Sequence, residues 1–352
     1  MRRSSLLSLV AVPVFWAAAS CGPRENNGDE AKSSTGVEAS INAAGATFPA
    51  TIYQRWGEEF QGAHINYQSV GSGAGINQLM QGTVDFGASD MPMTEQQMAK
   101  MGIKALHFPT VLGAVVPAYN IAGISQSLNF TPDTLAGIYL GTIKKWNDAK
   151  LKADNTDVHL PDADIIPVHR SDGSGTTFVW CDYLAKVSPA WKNKIGGACA
   201  TSLSWPAAGL AGKGNEGVAG IVKQTPNAIG YLELVYASKE HMTFGQVRNK
   251  SGKFVKPSVE SVTAAAAGAA SDIPADFRVS ITDAPGDDAY PISSFTYLLV
   301  PSKIPDATKK KAITDFLNWM LTTGQKDAPA LDFAPLPAAL VTREQQQIAQ
   351  IQ

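Results

Sequence analysis

The segment Val168-His169-Arg170-Ser171-Asp172-Gly173-Ser174-Gly175-Thr176-Thr177-Phe178 holds the residues best suited to chemistry in this chain. An arginine precedes a tight Gly-Ser-Gly-Thr turn, and the pattern predicts a helix from Thr177 to Ala185. Glycines let the backbone approach a ligand closely. Free N–H groups at a helix start point at negative charge. Arginine adds a planar fork of donors matched to phosphate or carboxylate. Together they make a pocket for an oxyanion. Three other turns expose hydroxyls or backbone N–H groups: Gly45 to Phe48, Gly71 to Gly75, and Ser89-Asp90. Each alone has a plainer reading, as a helix cap, a chain reversal or a turn aspartate. Arg170 and Asp172 alone read equally well as a simple ion pair.

Enzyme chemistry finds less support. Ser174 lies in Gly-Ser-Gly, not in the Gly-x-Ser-x-Gly of a nucleophile elbow. His64, His107, His159, His169 and His241 are scattered without metal-ligand spacing. Alternation along a strand points His169 away from the face that carries Arg170. Gly71 to Gly75 lacks the lysine of a P-loop and the spacing of a dinucleotide fingerprint. No nucleophile, base and orienter emerge together, so no catalytic residue, metal or cofactor is assigned.

The elements that must position these turns alternate as strand, glycine turn and helix. Strands are predicted at Ile41 to Ala44, Ile65 to Val70, Val84 to Ala88 and Leu106 to Pro117. Helices are predicted at Pro49 to Phe60, Ile76 to Gln81 and Thr94 to Met101. Further along come a helix at Thr131 to Tyr139, a strand at Asp164 to His169, a helix at Gly214 to Gln224 and a strand at Ala228 to Leu234. Tyr290 to Val300 reads as a strand, and Ala307 to Leu321 as an amphipathic helix with Ala312, Phe316, Trp319 and Met320 inward. Ala264 to Ala270 reads as a short surface helix broken by Gly268. This order predicts an α/β fold, in which ligands sit beyond the carboxyl ends of strands. Thr47, Ser72, Asp90 and the Gly173 turn all occupy such positions.

The 352 residues suffice for one large or two ordinary domains, and 44% hydrophobic content predicts a real core. A net charge of −2 argues against a nucleic-acid surface, so any anion site must be local. Arg2 and Arg3 precede an apolar run from Leu6 to Ala19, which ends at Ala18-Ala19-Ser20-Cys21. This describes an export signal over residues 1–20, too short to read as a membrane span. Cys21 after small residues resembles a bacterial lipobox, although Ala18 stands where such boxes usually carry Leu. The polar stretch through residue 38 reads as a flexible tether behind a lipidated Cys21. In an oxidising compartment Cys181 and Cys199 are expected to pair, the alternative being two buried free thiols.

The turns taken together resemble a known family. Ala44-Gly45-Ala46-Thr47-Phe48-Pro49-Ala50, Val84-Asp85-Phe86-Gly87-Ala88-Ser89-Asp90 and Asp172-Gly173-Ser174-Gly175-Thr176 resemble signatures of the periplasmic phosphate-binding proteins of the Pst ABC importer. Similarity continues through Ile138-Tyr139-Leu140-Gly141, Lys144-Lys145-Trp146, Gly212-Lys213-Gly214-Asn215 and Ala228-Ile229-Gly230-Tyr231, and covers Ile41 to Leu340. The resemblance implies a two-lobed, type II substrate-binding fold, each lobe a mixed sheet flanked by helices, with the ligand in the cleft. It places one lobe at residues 39–118 plus 293–352 and the other at 119–292. It implies phosphate contacts from Thr47, Phe48, Ser72, Asp90, Arg170, Ser174, Gly175 and Thr176, with Asp172 orienting Arg170. Gly73 and Ala43 depart from the family pattern without removing a ligand-contacting group.

The implied function is capture of inorganic phosphate in the periplasm or at the cell surface, and delivery to ABC permease subunits. The implied carrier is a monomer that meets the membrane only through its lipid anchor. Asp90 would accept a proton from phosphate and so reject sulfate, which has none to give. A secreted phosphatase would need the nucleophile or metal set that is missing here. A surface anion sensor on the same fold is not separable from a transport receptor by sequence.

Overall fold

The computed structural model describes residues 39–352. The expected signal segment, the lipidation at Cys21 and the tether through residue 38 lie outside the described residues. The strands are β1 Ser40–Gly45, β2 His64–Ser69, β3 Phe86–Ser89, β4 Ala105–Tyr119, β5 Asn129–Phe130, β6 Ile166–Arg170, β7 Leu210–Gly212, β8 Ala228–Glu233, β9 Thr243–Phe244, β10 Gln246–Arg248, β11 Phe254–Val255 and β12 Ser293–Pro301. The helices are α1 Ala50–Glu59, α2 Ser72–Met80, α3 Glu95–Met101, α4 Pro132–Leu140, α5 Ala149–Asp154, α6 Gly175–Val187, α7 Pro189–Lys194, α8 Gly214–Gln224, α9 Leu234–Lys239, α10 Val259–Gly268, α11 Ala307–Thr322 and α12 Ala338–Ile348.

Local chemistry explains many boundaries. Thr94 starts α3 with a reciprocal capping box to Gln97, and Gly102 ends the helix in a left-handed conformation. Thr131 caps α4 in the same way, with Pro132 in the first turn and Gly141 at the end.

The main sheet runs β2-β1-β3-β12-β4-β8-β6-β7, with β9 also beside β4. β1 is parallel to β2 and β3, while β12 is antiparallel to β3 and to β4. On the other side β6 is parallel to β7 and β8, and β8 is antiparallel to β4. Thus β4 belongs to both halves. Ala105 to Ala114 pair with β12, and Val115 to Tyr119 pair with β8. Each half is a mixed sheet, and the fold is two-lobed with β4 shared between the lobes. All fifteen residues of β4 are buried, which accounts for its nearly unbroken apolar reading.

Each lobe has its own aromatic centre. Tyr53, Trp56, Phe60 and Phe316 pack under β1 to β3, and Tyr139, Trp180, Trp191 and Tyr231 pack around β6 and β8.

Three expectations are corrected. The turn expected at Gly71 to Gly75 is mostly helix, because α2 begins at Ser72; Gly71 alone makes the reversal, at φ +94°. Likewise α6 begins at Gly175 rather than Thr177, since Ser174 supplies the cap. The alanine-rich segment belongs to the longer α10, whose Val262, Ala265 and Ala266 are buried, so it is a core helix and not a surface one.

Candidate functional site

Arg170 is the last residue of β6, and its side chain is 1% exposed. Its Nε donates to Asp172 Oδ1 at 2.8 Å and its Nη2 to Asp172 Oδ2 at 2.5 Å, a two-pronged pair. Asp172 Oδ1 also accepts from the backbone N–H of Gly214 at 3.0 Å. Burial works against the Asp172 charge, but the Arg170 bonds and charge and the Gly214 N–H outweigh it and lower its pKa. Asp172 therefore stays ionised and holds the guanidinium in one plane. The remaining Arg170 nitrogen, Nη1, lies 3.4 Å from Thr176 Oγ1.

Ser174 caps α6, its Oγ accepting from Thr177 N at 3.0 Å. The backbone N–H of Ser174 is taken by the Thr201 carbonyl at 2.7 Å. Gly175 and Thr176 occupy the first turn, where backbone N–H groups have no partner within the helix. The β6–α6 junction thus offers a cation, two free amides and two buried hydroxyls in one place.

The facing lobe contributes the ends of β1 and β3 and the start of α2. Thr47 and Phe48 form the turn between β1 and α1, and both are buried. Ser72, the first residue of α2, accepts from the backbone N–H of Asp90 at 3.3 Å. Asp90 follows β3 and is 2% exposed. Its Oδ1 accepts from Thr296 Oγ1 at 2.8 Å, while Oδ2 is buried with no hydrogen-bond partner. Burial pushes the Asp90 carboxyl up to about 7, against the opposing pull of Thr296, Arg170 and Ser72.

The two sides touch. Gly73 N–H donates to the Gly173 carbonyl at 2.9 Å. A methyl group built on Gly175 would fall 2.4 Å from Asp90 Oδ2 and 2.5 Å from Ser72 Oγ. Thr47, Phe48, Ser72, Asp90, Arg170, Asp172, Ser174, Gly175 and Thr176 therefore sit on the turns that meet where the lobes close. The described arrangement is a closed one, with the unpartnered Asp90 Oδ2 set against the first turn of α6.

Several residues here carried no role in the sequence reading. Asn215, at the start of α8, donates from Nδ2 to Thr47 Oγ1 at 2.7 Å and to Thr176 Oγ1 at 3.3 Å. Tyr236 OH donates to the Thr47 carbonyl at 2.5 Å. Tyr231 OH accepts from Arg170 N at 3.1 Å, and Thr296 supports Asp90. Asn215 and Tyr231 had a signal, since they lie in the family-like stretches Gly212 to Asn215 and Ala228 to Tyr231. Thr296 on β12 and Tyr236 on α9 reach the site through the tertiary arrangement. His169 stacks on Trp205 at 5.1 Å, away from Arg170, as strand alternation requires.

Cys181 and Cys199 form a disulfide. It ties α6 to the segment that carries Thr201, the residue that fixes Ser174. Among the described residues, no cluster of three or more His, Cys, Asp or Glu side chains is placed to hold a metal ion.

The fold and this site define a class, the two-lobed binding proteins that enclose a small anion. Residues 30–323 match the family model described as a PBP superfamily domain. The chain is 45% identical to the phosphate-binding protein PstS of Xylella fastidiosa (strain Temecula1), over 86% of this chain and 82% of that protein. It is 42% identical to PstS of Methanocaldococcus jannaschii, over 81% of this chain and 79% of that protein. Among solved structures, a high-affinity periplasmic phosphate-binding protein with bound phosphate superposes with a TM-score of 0.73 at 23% identity. The match spans 87% of this chain and 93% of that one. The chain belongs to the PstS family of phosphate-binding proteins. Its role is accordingly that of a carrier rather than an enzyme.

Proposed function

We propose that this chain binds one inorganic phosphate between its lobes and presents it to the membrane subunits of an ABC-type importer. The observation that carries this reading is Asp90. Its buried, partnerless oxygen lies against Gly175 at the start of α6 and within the electrostatic reach of Arg170. A site for a fully deprotonated anion would have no use for such an acceptor. Phosphate keeps at least one proton at neutral pH and satisfies Asp90 by donating it. Sulfate would set two unshielded negative groups together, which costs several kcal/mol.

Donors come from Arg170, from the hydroxyls of Thr47, Ser72, Ser174 and Thr176, and from the backbone at Phe48, Gly175 and Thr176. Each bond to a charged group is worth about 1.5–3 kcal/mol net. A handful reaches micromolar affinity, about −8 kcal/mol, after the costs of association. Asp172 holds Arg170 in place for that contact.

The lobes are assigned to residues 39–118 with 293–352 and to 119–292. The change of partners along β4 supports a hinge where the chain passes between the lobes. Export through residues 1–20, lipidation of Cys21 and a tether to residue 38 would hold a monomeric carrier at the periplasmic or outer cell surface.

Calorimetric titration of the domain without its tether tests the reading, with phosphate, sulfate and arsenate as ligands. Tight one-to-one phosphate binding with no sulfate heat is expected. Absence of phosphate binding, or equal binding of sulfate, would overturn it.

A further inference from the structure

Asn215 is fully buried, and its hydrogen-bonding capacity is spoken for. The backbone N–H of Glu233 donates to Asn215 Oδ1 at 3.0 Å. A backbone N–H can only donate, so the amide orientation is fixed by its environment. The nitrogen end must face Thr47 and Thr176. One Nδ2 proton goes to Thr47 Oγ1 and the other to Thr176 Oγ1.

The consequence lies in the hydroxyls. A threonine oxygen has two lone pairs and one proton. Thr47 Oγ1 accepts from Asn215 Nδ2 at 2.7 Å and from Asn215 N at 3.2 Å, which fills both lone pairs. Thr176 Oγ1 accepts from Asn215 Nδ2 at 3.3 Å and from Arg170 Nη1 at 3.4 Å, with the same result. Each hydroxyl is left with one free capacity, its proton. An unbiased hydroxyl can present either a proton or a lone pair, and a lone pair repels an anion.

We propose that Asn215 is a positioning residue that sets the polarity of the site, holding the Thr47 and Thr176 hydroxyls as obligate donors toward the bound anion. It also joins Thr176 on its own lobe to Thr47 on the other, so the polarity of Thr47 is set only when the lobes are closed. The proposal rests on the phosphate-binding reading above.

The test is a double-mutant cycle read by calorimetric titration of the mature domain with inorganic phosphate. Asn215→Ala is measured in the wild-type background and in Thr47→Val/Thr176→Val, with thermal melting of each phosphate-free variant. In the wild-type background the substitution is expected to weaken phosphate about 10- to 100-fold. Where the hydroxyls are absent, the same substitution is expected to cost less than about 3-fold. The lost contact to Glu233 N–H is common to both backgrounds and cancels. Equal losses in the two backgrounds, or wild-type affinity in Asn215→Ala, would overturn the proposal. If Asn215→Ala does not fold, Asn215→Asp is carried through the same cycle, since it keeps the volume and the acceptor for Glu233. Its repulsion of the anion is common to both backgrounds, whereas only hydroxyls can turn toward the new carboxylate and away from phosphate. A wild-type protein that does not bind phosphate sinks the functional reading and the Asn215 role with it. Tight wild-type binding with additive losses sinks the Asn215 role alone.

Discussion

Gly175 and Asp90 meet so closely that a single methyl group on Gly175 would lie 2.4 Å from Asp90 Oδ2. The first turn of α6 therefore packs against the turn after β3 with no room for a side chain on Gly175. Gly175→Ala should hold the lobes apart while leaving each lobe intact. Phosphate affinity is expected to fall about 10- to 100-fold, in line with overpacking costs. The phosphate-free melting temperature should stay near wild type. Small-angle scattering gives a second reading: added phosphate should compact the wild type but not the variant. Normal compaction in Gly175→Ala would contradict the closed contact.

Asp90→Asn replaces that acceptor with a group that can also donate. Phosphate should still bind, because the amide oxygen can accept its proton. Sulfate rejection by the wild type, read well above pH 7 where Asp90 is ionised, should largely disappear. Titration of the variant with both anions decides the matter, and unchanged sulfate exclusion would count against Asp90 as the selectivity element.

The pH dependence follows from the same carboxyl. Its pKa is raised from 3.8 to about 7 by burial, so the folded protein keeps a proton there that the unfolded chain loses. The stability this provides is fully present below the unfolded value and is lost as pH rises through about 7. Asp90 therefore favours a higher melting temperature of the phosphate-free protein at about pH 5.5 than at about pH 8.5, and Asp90→Asn should reduce that contribution. Protonation also turns Asp90 into a donor. Weak sulfate binding should thus appear in the wild type as pH falls below about 7.

Reduction of the disulfide, or Cys181→Ala with Cys199→Ala, should destabilise the domain by about 3 kcal/mol on the chain-entropy account. The effect should reach the site as well. Cys199 lies two residues before Thr201, whose carbonyl holds Ser174 N–H at 2.7 Å. A freed Thr201 segment loosens the α6 cap. Urea unfolding with and without reductant reads the first effect, and phosphate titration of the reduced protein reads the second. An affinity unchanged on reduction would confine the bridge to stability.

Much of this was legible because it is written locally. Thr94 with Gln97 and Thr131 with Pro132 announce their helices within one turn of chain. The Arg170 to Thr176 segment carries its fork, its cap and its free amides within seven residues, and the structure keeps them together. Errors arose where glycines could mean either turn or helix. Gly73 and Gly75 lie inside α2, and only Gly71 takes the left-handed backbone that makes the turn.

The chemical inventory is written in the chain: one arginine with its carboxylate, a set of short hydroxyls, a helix start and a separate aspartate after a strand. These depend on residue types and near neighbours. The tertiary structure alone decided what each group is left to do. Asp90 owes its one hydrogen-bonded oxygen to Thr296, 206 residues away, and its other oxygen lies unpartnered against Gly175 of the opposite lobe. Thr47 owes its hydroxyl polarity to Asn215, 168 residues away. Such pairings follow from β12 lying between β3 and β4, and from β4 crossing into the second lobe. No local propensity encodes that order, because it is settled by burying two cores at once.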